Sequence, residues 1–175
     1  LTEFGPVGHW EVDTTPWGAP IEPSAATKAA TYAAAHHAQF SQGRGLCLGT
    51  FCFIWGHKQE TTATWFGMFL ESGEKTPMVD AMSRIWSGEE PVNRAPVMHD
   101  LEAYFREKRV PETRDRKSGG DAERAPPVIP DCIIDNLGNR ARIRVPDTPG
   151  AYRVFLYVRD GRGGGAAGNF PFYAE

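Results

Sequence analysis

No stretch of the 175 residues approaches the roughly 20 consecutive apolar residues that a helical membrane span requires, so no membrane segment is expected. Basic clustering is missing too. The formal net charge is −3 and lysine and arginine form no stripe, which argues against nucleic acid as a partner. Cysteine is scarce and odd in number: Cys47, Cys52 and Cys132. The first two fall five apart on one expected strand, so their side chains point to opposite faces and do not bridge easily. All three read as small buried hydrophobes rather than a disulfide framework. That leans toward a reducing compartment, and a secreted or periplasmic location stays open. No metal is expected either. His36 and His37 are adjacent on a predicted helix and point about 100° apart, and the fourfold His spacing of a zinc-protease helix is missing. No Ser or Cys nucleophile with a plausible His partner stands out. The glycine-rich run 161–168 leads into an extended segment rather than a helix, so it lacks the helix N-terminus of a phosphate loop and reads as a flexible hairpin loop.

What is present divides into two halves, 1–90 and 91–175. The first reads as α/β. Leu1 to Phe4 is a short strand that delivers Glu3 and then turns at Gly5-Pro6. Residues 5–23 form a long loop rich in Gly, Pro and Trp, a length that is usually functional or disordered. Ser24 is a predicted N-cap for an alanine-rich helix over 25–41. Residues 47–54 are apolar almost throughout, as a strand buried on both faces would be. An extended piece is expected over 64–70. Thr76 then caps a helix with Pro77 at its first position and Val79, Met82, Ile85 and Trp86 on its apolar face. All five tryptophans lie in this half, the last at Trp86.

Residues 91–96 (Pro-Val-Asn-Arg-Ala-Pro) are the expected linker. Beyond them, short alternating segments are predicted over 97–104, 128–134, 141–145, 151–159 and 169–173, with 106–124 as a charged, mobile loop between strands. The alternation of Arg153, Phe155, Tyr157 and Arg159 with Tyr152, Val154, Leu156 and Val158 is strand grammar. An immunoglobulin-like or fibronectin-like β-sandwich is expected.

Thr2-Glu3-Phe4-Gly5, Phe53-Ile54-Trp55-Gly56 and the run from Trp65 through Gly67, Gly73 and Lys75 to Pro77 together resemble the C-terminal end of a clan A glycoside hydrolase barrel, the group that includes families two and five. The likeness covers roughly residues 1–88. It implies the last two βα units of a (β/α)8 TIM barrel, with Glu3 as the nucleophile ending the seventh strand and Trp55 beneath the sugar at the end of the eighth. The group's general acid/base follows its fourth strand, and no strand precedes Glu3 here. Retaining hydrolysis needs two carboxylates about 5–5.5 Å apart, so these residues alone are not expected to turn over substrate. The expected partners are a glycan and an upstream barrel portion of the same protein. The mechanism implies no organic cofactor.

Other sugar-binding candidates come from the loops after the two strands. His9, Trp10 and Trp17 follow Glu3. Gln59, Glu60 and Trp65 follow Trp55. Aromatic faces suit the C–H surfaces of sugar rings, and long polar side chains suit their hydroxyls. The competing expectation is a non-catalytic carbohydrate-binding or structural module.

Overall fold

In the computed structural model the described residues are 3–42, 45–98, 124–129 and 131–175, and they form a mixed α and β structure. Helix α1 (Ala25–Gln42) starts where the Ser24 hydroxyl accepts the Thr27 N–H at 3.2 Å, the expected N-cap bond. Ala25, Lys28 and Tyr32 are its buried positions, at the three- and four-residue spacing of one helix face. Helix α2 (Pro77–Ser87) has Pro at its first position and ends at Gly88, whose φ of 77° provides the left-handed cap. Thr76 precedes it but makes no side-chain cap. Its hydroxyl donates instead to Met68 O at 2.8 Å. Trp86 also departs from expectation: Val79 and Met82 are buried, whereas Trp86 is half-exposed.

The core is built by Phe4, Tyr32, Met68, Met78, Val79 and Met82, with Cys52, Phe69 and Ile85 packed around it. Phe4 enters it through a parallel pairing across α1. Phe4 N–H donates to Phe51 O (2.9 Å), and Phe53 N–H donates to Phe4 O (2.8 Å). The expected strand over 47–54 is reduced to this contact, a bridge between Phe4 and Cys52. Leu48 and Phe51 stand exposed, Phe51 at 71%. Apolar character marked the segment as one to be covered, and among the described residues only its Cys52 side packs on the core. The cysteines are free and half-buried, rather than fully buried as expected.

Backbone bonding continues from this contact through the first half into the second. Ile54 N–H donates to Phe66 O and Met68 N–H to Ile54 O, both at 3.1 Å, so the piece after Trp65 runs beside 54–56. Phe69 bridges Lys75, and Lys75 bridges Gly164. Gly164 leads into strand β4.

Four strands are formed among the described residues: β1 (Ile133–Leu137), β2 (Arg140–Ile143), β3 (Gly150–Arg159) and β4 (Gly165–Ala174). They pair as two antiparallel hairpins, β1 with β2 and β3 with β4. The strand expected over 151–159 is formed as β3, but its burial does not alternate: Tyr152 to Phe155 are half-buried and Leu156 to Arg159 are exposed. The glycine-rich run is a correction: Gly165, Ala166, Ala167 and Gly168 belong to β4 and are buried. A Cβ at Gly165 would lie 2.6 Å from Leu70 Cδ1. The small residues therefore let the strand lie flush on the first half, a close approach that glycine in a strand often marks. The expected linker is anchored as well. Ala95 N–H donates to Asp80 Oδ2 at 2.6 Å, and Asn93 Nδ2 donates to Asp160 Oδ2 at 2.9 Å. The segment expected over 97–104 and the loop expected over 106–124 lie almost wholly outside the described residues.

Gly5 shows how tightly the Phe4 contact is made. A Cβ there would meet the Phe53 carbonyl oxygen at 2.6 Å and the Tyr32 hydroxyl at 3.3 Å. The Tyr32 hydroxyl itself donates to Phe53 O. Gly5→Ala is expected to destabilise the protein by about 1–3 kcal/mol, the range for forcing a methyl into packed space. Urea denaturation measures it. A midpoint equal to wild type would mean the pairing is looser than drawn.

Candidate functional site

Phe4 turns its ring into the helix-packed core, so alternation along an extended segment presents Glu3 on the other face. Glu3 is exposed there. The loop that follows, 5–23, and the loop after Trp55 come together over one cluster of rings. His9 is buried edge-on against Trp10 (ring centroids 4.8 Å apart) and Trp65 (5.8 Å). Phe66 lies 6.4 Å from both His9 and Trp10 and 5.3 Å from Phe53. Trp65 is fully buried, and its indole N–H donates to Val7 O at 3.0 Å, tying the end of the second loop to the start of the first. Trp10 stays partly exposed at the edge of the cluster.

Glu60 sits beneath these rings with 1% exposure. Lys58 Nζ lies 2.6 Å from its Oε2, and His9 Nε2 lies 3.4 Å from its Oε1. A carboxylate this deeply buried persists only with charged or hydrogen-bonding partners. Lys58 supplies that charge, and the His9 ring borders the carboxylate. Lys58, 5.0 Å above the Phe53 ring, belongs to the polar run after Trp55 from which the sequence singled out Gln59 and Glu60 instead. Its position two residues before Glu60 was the available signal.

A second buried polar network lies behind the first. Glu22, at the end of the first loop, accepts from Lys28 Nζ of α1, from Thr62 Oγ1 (2.5 Å), from Thr64 Oγ1 (2.8 Å) and from Asn169 Nδ2 of β4 (2.6 Å). Lys28 Nζ also donates to Thr64 O at 2.7 Å. Burial alone would raise the Glu22 pKa. The Lys28 charge and hydrogen bond, with the Thr62 and Thr64 hydroxyls, outweigh it and hold the carboxyl below its ordinary value. The sequence reading missed this network entirely.

The structure thus brings His9, Trp10, Glu60 and Trp65 together. Gln59 is half-buried between Lys58 and Glu60. Trp55 makes its ring contacts elsewhere: it is 55% exposed, with Phe69 at 5.2 Å and Trp86 at 5.9 Å. Trp17 lies against Tyr173 of β4 at 6.3 Å, and its indole N–H is buried without a hydrogen-bond partner. Among the described residues no group of three His, Cys, Asp or Glu side chains is placed to hold a metal ion, and no helix is long and apolar enough to cross a membrane.

Chemically the arrangement offers an exposed carboxylate at Glu3, next in sequence to the Phe4 bridge, and two cross-linked loops that carry aromatic and polar groups. No protein-family model matches the sequence, and no curated protein matches it.

Proposed function

We propose that this chain is the C-terminal portion of a retaining glycoside hydrolase acting on the O-glycosidic bonds of a glycan. In this reading residues 1–90 are the last two βα units of a (β/α)8 barrel and residues 91–175 an immunoglobulin-like sandwich. The observation that carries the proposal is the parallel bonding of Phe4 to Phe51 and Phe53 across α1. Neither flank of α1 forms a strand, but a parallel bridge joined across a helix follows the order strand, helix, parallel strand from which such barrels are made, with catalytic groups at the C-terminal ends of the strands. Glu3, one residue before the Phe4 bridge, would be that group.

Glu3 would attack the anomeric carbon as the bond to the leaving oxygen breaks. A second carboxyl group, on upstream chain, would protonate that oxygen. Water, deprotonated by the same second group, would then open the glycosyl ester and free Glu3. Trp55 and Trp10 would offer ring faces to sugar C–H surfaces. His9, Gln59, Glu60 and Trp65 would set the floor and polar wall of the subsites. Trp17 would bound them on the β4 side.

The test is the stereochemistry of turnover. The full-length protein, whose intact mass should exceed 19.3 kDa by on the order of 200 residues of barrel, is incubated with a panel of aryl glycosides. The anomer released first is read by proton NMR. Retention is expected, because two displacements at one carbon restore its configuration. Inversion would remove Glu3 from the nucleophile's role. Sugar binding without turnover of any glycoside would leave a carbohydrate-binding module instead.

A further inference from the structure

We propose that the C-terminal β3–β4 hairpin is a positioning element for the sugar site: Arg153 and Asn169 hold the Pro20–Glu22 end of the first loop, and Glu22 passes that hold to the second loop through Thr62 and Thr64. The sugar-binding part of this inference rests on the glycosidase reading above. The mechanical part does not.

The bonds run in one direction through the fold. Arg153 Nη2 donates to Pro20 O at 2.8 Å, and Arg153 Nη1 donates to Asn169 Oδ1 at 2.5 Å. Asn169 then donates through Nδ2 to Glu22 Oε2 at 2.6 Å, the same oxygen that accepts the Thr62 hydroxyl. Asn169 pairs with Phe155, two residues from Arg153. The two side chains are therefore diagonal neighbours on one face of the hairpin. With Oδ1 committed to Arg153, the Asn169 amide has its N–H aimed at Glu22, a charge-assisted bond in a buried setting.

Both loops reach the ring cluster from this anchor. The first carries His9 and Trp10, and the second carries Lys58, Glu60 and Trp65. Backbone bonds at Ile54–Phe66 and Thr76–Met68 hold the far end of the second loop, and Glu22 adds the tie that joins both loops to the hairpin and to α1. A hairpin at the far end of the sequence thereby helps to set the geometry of the loops after Glu3 and after Trp55.

Asn169→Leu in the full-length protein tests this, by native-state hydrogen exchange and by steady-state kinetics on an aryl glycoside. Amides of both loops (Ile21, bonded to Asp13 O, and Glu60 and Thr62, bonded to each other) should exchange at least tenfold faster. Gly88, capping α2, should not change. KM should rise about tenfold with kcat nearly unchanged, because loosened subsites weaken binding while Glu3 stays on its own segment. A merely bracing role would lower the melting temperature and leave KM as it was. Faster exchange confined to β3 and β4 overturns the proposal. So does loosening of both loops with unchanged KM. If the wild-type protein cleaves no glycoside, the glycosidase reading fails, and the exchange data still decide whether the hairpin controls the loops. Should Asn169→Leu fail to fold, Arg153→Met removes the upstream half of the relay at a half-buried position and carries the same expectations.

Discussion

Glu3→Gln in the full-length protein is expected to lower kcat on the order of 10⁴-fold or more while leaving sugar affinity within a few-fold of wild type. The carboxamide keeps the shape of the side chain and one acceptor oxygen, so ground-state contacts survive. It lacks the anionic oxygen that must form the bond to the anomeric carbon, so the glycosyl ester cannot form. Structural damage is not expected to imitate this result. Glu3 is exposed, and Phe4 rather than Glu3 carries the core contact at this point of the chain. Surface substitutions of that kind usually change stability by about 0.5 kcal/mol or less. Circular dichroism and sugar titration on the same preparation separate loss of chemistry from loss of fold.

A companion variant sharpens the reading. Glu3→Ala opens space on the face from which the nucleophile attacks. Added azide should then displace the leaving group of an activated aryl glycoside directly. A single displacement inverts the carbon, so the product is a glycosyl azide of opposite configuration to the substrate. Turnover by Glu3→Gln near the wild-type rate would show that the nucleophile lies elsewhere.

Local rules made α1 legible because Ser24 and the alanines point the same way, and β3 was legible as a strand through its alternating pattern although its burial does not alternate. Two elements were misread for opposite reasons. The 47–54 run has the composition of a buried strand, yet its pairing shrinks to Cys52, because composition states a preference and says nothing of which surface meets it. The Gly165–Gly168 run has the composition of a loop and is buried strand, because its small residues answer to Leu70 and Glu74 far away in sequence. His9, Glu60 and Trp65, which the structure brings together, were singled out because they follow the ends of expected strands. Glu22, Lys28 and Asn169 were not, since a buried charge is settled by partners that a local window does not contain. One hint was available: Lys28 lies three residues after Ala25 and four before Tyr32, inside the buried stripe of α1, where an unpaired ammonium would be costly.

That cost gives the second large effect. Lys28→Met is expected to destabilise the protein by about 3–5 kcal/mol, the range for leaving one member of a buried ion pair uncompensated. Lys28 is 2% exposed, and its ammonium is the only positive charge bonded to Glu22 among the contacts described above. A loss of that size is a large share of the total stability of an ordinary domain, about 5–15 kcal/mol. The pH dependence supplies the sign. In the wild type the Glu22 pKa lies below its ordinary value of 4.5, so its contribution is present above that value and lost as pH falls through the lower folded pKa. In Lys28→Met burial acts on Glu22 with less opposition, and its folded pKa rises. The variant then gains stability relative to wild type as the solution is acidified, and the difference between the two, measured by urea denaturation, should shrink from pH 7 toward pH 4. Glu22→Leu combined with Lys28→Met should recover only part of the loss: no buried charge remains, but Thr62, Thr64 and Asn169 lose their acceptor. A difference below about 1 kcal/mol at pH 7, or one that does not change with pH, would mean that water reaches Glu22 and that the pair behaves like the weak ion pairs of a protein surface.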